Sequence, residues 1–350
     1  MSTLARLHSR LSPFLAPVGR LYALAMHARA ELYARGAYPC LTPRVPTVSV
    51  GNVSLGGSGK TPLVGWLAEA ALARGRRPVI LTRGYKARPP HRPYLVTPGS
   101  PAEAAGDEPL LLARAHPGAA VVVDPLRARA AGFALETLSP DLFILDDGFQ
   151  HLSLGRHVDL VLLTPEDLGR DWNRVFPAGR WREGRRALAR ATAFLVKSSP
   201  EEFAAARARI EERLGPLSRP VFQFDLRISG LRTMAGEPAA ADDRPYLLAT
   251  GVARPAGVAA AASAFFGRPP AEVRAFPDHH RFSPADVQAL RRAAEARAAP
   301  RIVITPKDAV KLDSLADERF LVLEPTPVFG EAMYACAPFD RWWADILQTS

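Results

Sequence analysis

The sequence predicts an α/β protein with a doubly wound, mostly parallel sheet. Short apolar runs rich in Val, Ile and Leu alternate with segments of helical periodicity, which is the pattern of successive βαβ units. One of these runs leads into a glycine-rich loop and then into a helical segment, in the stretch VSVGNVSLGGSGKTP of residues 48–62. Parallel strands end at the same edge of a sheet, so this loop should lie at the carboxyl edge, where such folds bind ligands.

Length and composition are those of a cytosolic enzyme. With 350 residues, of which 48% are hydrophobic, the chain can form a large core and two domains. The two cysteines, Cys40 and Cys336, are far apart and have no metal or redox spacing. No uncharged run reaches the roughly 20 residues of a membrane-spanning helix. Arginines interrupt the N-terminus, so we expect neither a transmembrane span nor a signal peptide.

The first 44 residues form a basic, amphipathic segment. The formal net charge is +10, and within residues 1–44 Glu31 is the only carboxylate against six arginines. Apolar residues recur among these arginines at helical spacing: Leu11, Phe14, Leu15, Val18, Leu21, Tyr22 and Ala25. A helix of this kind can lie in an anionic membrane surface. It can equally cover the core of its own domain, and the pattern leaves both possibilities open.

Residues 45–220 are predicted to form the core domain, which carries the glycine-rich loop. Its strands are expected at Val48–Val50, Val79–Leu81, Val121–Val123, Leu142–Leu145, Val158–Leu163 and Phe194–Val196. These runs are almost continuously apolar, as strands of a parallel sheet are when helices cover both faces.

Residues 221–243 are predicted to be extended linker strands, and residues 244–350 a smaller C-terminal α/β domain. In this second domain we expect strands at Tyr246–Ala249, Ile302–Ile304 and Phe320–Leu323 and a helix at Ala256–Phe266. Another helix should begin after Ser283-Pro284, because serine is a favoured N-cap and proline a favoured first helical residue.

The glycine-rich loop resembles the phosphate-binding P-loop pattern GxxxxGK[ST], with Ser54 in place of the first glycine. Glycines with positive φ can turn backbone N–H groups towards phosphate oxygens, and the following helix N-terminus adds partial positive charge. Lys60 should reach the β- and γ-phosphates, and Thr61 should bind Mg²⁺. The expected nucleotide-binding residues are therefore Ser54, Gly56, Gly57, Ser58, Gly59, Lys60 and Thr61.

A second motif for phosphate chemistry is DLFILDDGFQH at residues 141–151. Here an apolar strand ends in Asp146 and Asp147, which places two carboxylates at the same sheet edge as the loop. Carboxylates at this position hold Mg²⁺ directly or through water. We expect both aspartates to belong to a magnesium site.

Three further clusters carry acid, base or basic side chains. The turn GDEP contains Asp107 and Glu108, and the loop FPDHHRF contains His279 and His280. An aspartate paired with a histidine can accept a proton from a hydroxyl group, although loop residues of these types are often only solvated. The third cluster, PAGRWRE at residues 177–183, contains Arg182. Arginines can neutralise a phosphoryl group during transfer.

Together these motifs resemble one family, the tetraacyldisaccharide 4′-kinases, which are the lipid A 4′-kinases of Gram-negative bacteria. The resemblance extends over nearly the whole chain and includes LTRGYKA at 81–87, DPLR at 124–127 and TPKDAVKL at 305–312. It implies transfer of the γ-phosphate of ATP to the 4′-hydroxyl of a tetraacyldisaccharide 1-phosphate, which yields lipid IV-A. It also implies a peripheral protein at the cytoplasmic face of the inner membrane, with ATP and Mg²⁺ required.

The resemblance also implies roles for individual residues. Asp107 and His279 correspond to the pair that activates the 4′-hydroxyl, although the choice between His279 and His280 is open. Lys60, Asp147 and Arg182 correspond to catalytic groups. The positions matching substrate-binding groups are Arg127, Glu108, Gln150, His151 and Glu183. The family commonly has proline and leucine where this chain has Arg180 and Trp181.

Two other classes of protein remain as alternatives. A P-loop GTPase or a transport ATPase would share the loop, but guanine recognition normally uses [NT]KxD. In this chain the sequence Thr305-Pro306-Lys307-Asp308 places the lysine one position too late. A nucleic-acid-binding ATPase would fit the isoelectric point near 10.1, but there is no basic patch interleaved with aromatic residues, so we expect no nucleic-acid partner. These patterns do not encode the oligomeric state or the preferred acyl chains.

Overall fold

The computed structural model describes residues 3–56, 59–278 and 280–349. Its chain forms two compact units. The first unit contains residues 1–83, 118–225 and 329–350, and the second contains residues 84–117 and 226–328.

The elements alternate along the chain much as the sequence predicts. The strands are β1 (Thr47–Asn52), β2 (Pro78–Thr82), β3 (Tyr94–Val96), β4 (Ala120–Val123), β5 (Leu142–Asp146), β6 (Val158–Leu163), β7 (Ala193–Lys197), β8 (Val221–Thr233), β9 (Pro238–Ala239), β10 (Tyr246–Thr250), β11 (Glu272–Ala275), β12 (Arg301–Ile304) and β13 (Phe320–Met333). The helices are α1 (Thr3–Ala34), α2 (Lys60–Leu72), α3 (Ala102–Ala105), α4 (Asp107–Ala115), α5 (Arg127–Thr137), α6 (Pro165–Leu168), α7 (Pro200–Arg213), α8 (Pro255–Phe266), α9 (Pro284–Ala296), α10 (Pro306–Leu312) and α11 (Phe339–Thr349).

In the first unit, the strands follow the order β8–β7–β6–β1–β5–β2–β4, and all neighbours are parallel. The predicted α/β fold with a mostly parallel sheet is confirmed, and each strand expected in the core domain is present. β1 lies between β5 and β6, with Val50 opposite Asp146 in the pairing with β5. The loop after β1 and the carboxylates after β5 therefore leave neighbouring strands at the same edge.

One core of the first unit lies beside β6 and β7 and is rich in aromatic residues. Phe149, Trp181, Phe194 and Phe203 are fully buried there. Each buried aromatic side chain of this size removes 150–250 Å² or so from water, so such residues dominate the stability of the packing. Phe149 follows the predicted magnesium carboxylates and Trp181 precedes Arg182, so two motifs of the predicted site are anchored in this core.

In the second unit, the strands follow the order β11–β10–β12–β13, again with parallel neighbours. The expected helix after Ser283 is α9, and the Ser283 side chain accepts a hydrogen bond from the backbone N–H of Asp286 in a reciprocal capping box. This arrangement satisfies N–H groups that the first helical turn cannot pair internally.

The division into units differs from the linear division expected from the sequence. Residues 84–117 lie in the second unit although they interrupt the predicted core domain, and residues 329–350 return to the first unit. β8 begins at residue 221, where the linker strands were expected to begin, and the two units divide within this strand, after Asp225. Local composition marks strands and turns, but which distant segments pack together depends on contacts that composition does not encode.

Helix α1 packs against the rest of the first unit through small residues. The Ser12 hydroxyl donates a hydrogen bond to the carbonyl of Ala178, and a Cβ added to Gly19 would come within 2.8 Å of the Val175 carbonyl oxygen. The large apolar residues face away: Phe14 is 80% exposed and Leu21 is 68% exposed. None of the helices in the described part of the chain combines the length and hydropathy of a bilayer-crossing segment.

Candidate active site

The glycine-rich loop joins β1 to α2, as the sequence predicts. Gly56 and Gly59 have φ angles of 124° and 84°, which residues with a Cβ rarely adopt. Lys60 is the first residue of α2 and Thr61 is the second, so this 13-residue helix begins directly after the loop. Gly57 and Ser58 lie outside the described residues. The described part of the loop has the backbone freedom and the helix dipole that phosphate binding requires.

Ser54 and Asn52 fix the start of this loop. The Ser54 hydroxyl donates to Asp167 Oδ2 over 3.2 Å. The amide of Asn52, which is fully buried, donates to the Ser54 carbonyl and accepts from Lys60 Nζ over 3.0 Å. Sequence reasoning did not select Asn52. The available signal was a polar residue at the end of an otherwise buried strand, immediately before the loop.

Asp147 is the centre of a cluster of charged groups. Its Oδ1 lies 3.2 Å from Lys60 Nζ, and Arg182 Nη1 donates to both of its oxygens over 2.8 and 3.0 Å. Burial alone would raise the pKa of Asp147, but the positive charges and hydrogen bonds of Lys60 and Arg182 lower it to about 2. The carboxylate is therefore ionised throughout the physiological pH range.

Gln150 connects Arg182 to the loop. Its side chain accepts from Arg182 Nη1 over 3.3 Å and donates to the Asn52 carbonyl over 3.1 Å. Its own carbonyl accepts from Arg29 Nη1 over 3.3 Å, so α1 reaches this part of the site. The structure thus brings together four of the predicted positions, namely Lys60, Asp147, Gln150 and Arg182.

Arg127 lies fully buried beneath the carboxylates. It donates to the backbone carbonyls of Asp124 and Asp146 over 2.8 and 3.1 Å. Burial lowers its pKa to about 10, opposed by the nearby charges of Asp146 and Asp147. Burial also lowers the pKa of His151 to about 3, and Arg127 adds to this effect. The imidazole of His151 is therefore neutral at pH 7.

Glu183 forms a buried ion pair rather than an open binding group. Both of its oxygens accept from Arg190 Nη2, over 2.8 and 3.0 Å. The Arg190 guanidinium also lies 4.4 Å from the ring centre of Phe149. These contacts hold the segment that carries Arg182 against the segment that follows Asp147.

The residues of this cluster fit a magnesium-bound triphosphate. The Nε atoms of Arg127 and Arg182 are buried, with no hydrogen-bond partner among the described residues, and a buried donor is unfavourable without an acceptor such as a phosphate oxygen. The described residues contain no group of three or more His, Cys, Asp or Glu side chains placed to hold a metal. Mg²⁺ typically takes one or two carboxylates together with substrate phosphates. Asp146 and Asp147, with Thr61, match that donor set.

In the second unit, Gly106 precedes α4 and Asp107 is its first residue. A Cβ at Gly106, whose φ is 85°, would come within 3.4 Å of the Tyr85 carbonyl oxygen. Lys307 lies 3.5 Å from Glu108 and 3.2 Å from Asp278. One ammonium group thus connects the GDEP turn to the loop that contains the two histidines. Sequence reasoning did not select Lys307, because nothing in its own motif indicates these partners.

The structure describes one of the two neighbouring histidines, His280. His280 stacks on Phe276 at 4.8 Å and meets Phe282 edge-on at 5.1 Å. Its Nε2 lies 3.2 Å from Asp286, the third residue of α9 and the partner of Ser283 in the capping box. His280 is therefore engaged in local packing. His279, which we predicted to be the catalytic histidine, lies outside the described residues.

Asp308, at the position where a GTPase would read guanine, is fully buried. Its carboxylate accepts from the backbone of Gly251 over 3.1 Å, from the Thr305 hydroxyl over 2.6 Å and from Lys311 over 3.1 Å. These contacts pair the Asp308 carboxylate with donors of the second unit. They argue against a guanine-reading role.

Comparisons with known proteins agree with this geometry. The family described as LpxK, tetraacyldisaccharide-1-P 4′-kinase, matches residues 11–335. The tetraacyldisaccharide 4′-kinase of Nitratidesulfovibrio vulgaris is 48% identical over 97% of this chain and 95% of its own length. That of Oleidesulfovibrio alaskensis is 46% identical over 96% of both chains.

A solved structure also matches over almost the full length. The "apo" form of LpxK from Aquifex aeolicus in complex with ATP superposes with a TM-score of 0.75 and 29% sequence identity, covering 97% of this chain and 99% of the other. The resemblance inferred from the motifs is confirmed by these matches. The chain belongs to the LpxK family of tetraacyldisaccharide-1-phosphate 4′-kinases.

Proposed function

We propose that this protein transfers the γ-phosphate of ATP to the 4′-hydroxyl of a tetraacyldisaccharide 1-phosphate and so forms lipid IV-A. Membership of the LpxK family over residues 11–335 carries this proposal. The cluster of Lys60, Asp147 and Arg182 supports it, because phosphoryl transfer depends mainly on positioning and on neutralising negative charge. No observation favours the GTPase, transport ATPase or nucleic-acid alternatives.

In the first unit, the roles follow from charge and position. ATP supplies the phosphoryl group, and Mg²⁺ spreads the negative charge of the triphosphate. Lys60 and Arg182 would bind phosphate oxygens, while Thr61, Asp146 and Asp147 would hold the metal. Asn52 keeps the Lys60 ammonium at the loop through its 3.0 Å hydrogen bond. Arg127 donates to the backbone carbonyl of Asp146 and would hold that residue in place.

The acceptor hydroxyl needs a base, and Asp107 with His279 is the proposed pair. Asp107 begins α4, whose next residue, Glu108, is linked through Lys307 to Asp278, the residue before His279. The same ammonium therefore steadies both segments that carry the pair. We favour His279 over His280 because Nε2 of His280 already contacts Asp286.

The remaining predicted residues would orient the substrates. Gln150 positions Arg182, and the neutral imidazole of His151 can donate or accept a hydrogen bond without adding charge. Glu183 would act indirectly, through its ion pair with Arg190. Glu108 would act on the side of the acceptor, next to Asp107.

We further propose that α1 docks on the cytoplasmic face of the inner membrane, as a peripheral contact. The acyl chains of the substrate reside in a bilayer, so the site must work at its surface. Phe14, Val18 and Leu21 are 80%, 51% and 68% exposed on α1. The exposed Phe176 ring contacts Tyr22 at 6.2 Å and extends this apolar surface. Arg20, also exposed, would meet anionic headgroups.

The direct test is transfer of ³²P from [γ-³²P]ATP to tetraacyldisaccharide 1-phosphate by the purified protein in detergent with Mg²⁺. We expect a labelled lipid product from the wild type and none above background from Lys60→Ala. Labelled GTP and added DNA or RNA serve as controls for the alternative classes. Hydrolysis without lipid labelling, or stimulation by nucleic acid, would contradict the proposal.

A further inference from the structure

The segment with the sequence PAGRWRE is paired through its backbone with the first limb of the glycine-rich loop, residues 52–56. The backbone N–H of Leu55 donates to the Arg180 carbonyl over 2.7 Å, and the N–H of Arg182 donates to the Val53 carbonyl. Ser54 and Trp181 form the antiparallel bridge between these two hydrogen bonds. The position of residue 180 relative to the loop is therefore set by backbone pairing.

The turn before Arg180 is equally well defined. The N–H of Trp181 donates to the Arg174 carbonyl over 3.0 Å. A Cβ at Gly179 would come within 2.1 Å of that same carbonyl oxygen, so only glycine fits there. The Trp181 side chain is fully buried and meets Trp172 edge-on at 5.2 Å. This packing holds the turn and directs Arg180 towards the loop.

The guanidinium of Arg180 lies against the loop backbone. Its Nη2 donates to the Leu55 carbonyl, and a Cβ added to Gly56 would lie 2.6 Å from the same nitrogen. Lys60 and Arg182 are both paired with Asp147. No ion pair of Arg180 is found among the described residues; the carboxylate that its charge influences, Asp167, accepts a hydrogen bond from Ser54. A guanidinium offers five N–H donors, so Arg180 retains donors for a further acceptor.

The position of Lys60 indicates which end of the triphosphate Arg180 would contact. In a P-loop, backbone N–H groups of the glycine-rich loop surround the inner phosphates and the lysine reaches the outer ones. Here the Lys60 ammonium lies 3.0 Å from Asn52, whose amide donates to the Ser54 carbonyl. The limb of residues 52–56 therefore lies at the outer end of the phosphate site, and Arg180 sits on that limb.

We propose that Arg180 is a further triphosphate-binding residue of this kinase and that its guanidinium contacts the terminal phosphate. The inference rests on the proposed function. It adds a cation to the phosphate site, at a position where the family commonly has proline. A cation at the transferring phosphate stabilises the charge that develops during transfer. It also makes binding selective for a triphosphate over a diphosphate.

The test is nucleotide affinity, measured by titration calorimetry with Mg²⁺ on the whole protein without lipid. Arg180→Leu keeps much of the aliphatic stem and removes the charge, and Arg180→Lys retains the charge without the planar fork. Arg186→Leu is the matched control, since Arg186 is an exposed arginine a few residues further along. The probes are ATPγS and ADP.

We expect Arg180→Leu to weaken ATPγS binding about tenfold, as for loss of one charge-assisted hydrogen bond. ADP affinity should change less than about twofold, the lysine variant should be intermediate and the control unchanged. Wild-type affinities for both probes in the leucine variant would overturn the proposal, and an equal loss for both would overturn the contact with the terminal phosphate. If Arg180→Leu does not fold, the lysine variant decides between the same outcomes. Failure of the wild type to bind any nucleotide would instead contradict the proposed function, and Arg180 with it.

Discussion

Replacing Asp147 with asparagine should both destabilise the protein and stop catalysis. The pKa of Asp147 is lowered from 3.8 to about 2 by its cationic neighbours, which outweigh its burial. A difference of this size corresponds to about 2.4 kcal/mol of folding free energy at neutral pH. Because the side chain is 33% exposed, solvent screening reduces the expected contribution to about 1 kcal/mol.

The sign of the pH dependence follows from the direction of the shift. A carboxyl group with a lowered pKa in the folded state stabilises that state fully above its unfolded value of 3.8. This contribution is lost as the pH falls from 3.8 through about 2. The wild type should therefore exceed Asp147→Asn in stability by a constant amount between about pH 5 and 8, and the difference should shrink in acid.

The assay is thermal unfolding at several pH values, followed by tryptophan fluorescence. We expect Tm to fall by about 2–4 °C in the variant at pH 7, as for about 1 kcal/mol in a unit of this size. Turnover should fall by about a hundredfold or more, because a metal-linked carboxylate is lost. Glu136→Gln, on the exposed surface of α5, is the control. Equal Tm values and near-normal turnover in Asp147→Asn would refute the assignment of this cluster.

Three further predictions concern the base, the neighbouring histidine and the membrane. Asp107→Ala should lower kcat much more than it raises the KM for ATP, and a double variant with His279→Ala should be little worse than the worse single variant. By contrast, His280→Ala should lower Tm by a few degrees, because an aromatic contact and a contact with the helix cap are lost. Most of the turnover should be retained. A complete loss of turnover in a folded protein would instead assign the catalytic role to His280. Changing both Phe14 and Val18 to Asp should reduce sedimentation with anionic vesicles, and 0.5 M salt should partly imitate this by screening the arginines. Unchanged vesicle binding, with ATP affinity also unchanged, would show that another surface docks.

Much of the fold could be predicted because the determining signals are local. Buried parallel strands such as β1 and β5 are continuous apolar runs, and the cap at Ser283 needs only its immediate neighbours. The glycine-rich loop and the paired carboxylates after β5 were recognisable because their chemistry restricts residue type and spacing.

The remaining features depend on contacts between distant segments. The assignment of residues 84–117 to the second unit could not be predicted from composition. The role of Asn52 depends on a lysine eight positions later, and that of Lys307 on partners about 30 and 200 positions away. Glu183 was expected to be a binding residue because the resemblance to the kinase family implies it. Only the structure shows that Arg190 occupies its carboxylate.

The N-terminal helix α1 determines the distance between its exposed apolar surface and the phosphate site. Phe14 is exposed in the N-terminal half of α1, and Arg29 in the C-terminal half donates to the carbonyl of Gln150 in the catalytic cluster. Fifteen residues of α-helix separate them, which corresponds to about 22 Å along the axis. A bilayer that holds Phe14 would therefore keep the phosphate site at a fixed height above the lipid. The disaccharide would have to move out of the bilayer by the same distance to react. Shortening or lengthening α1 by one turn would change that distance without altering a catalytic group.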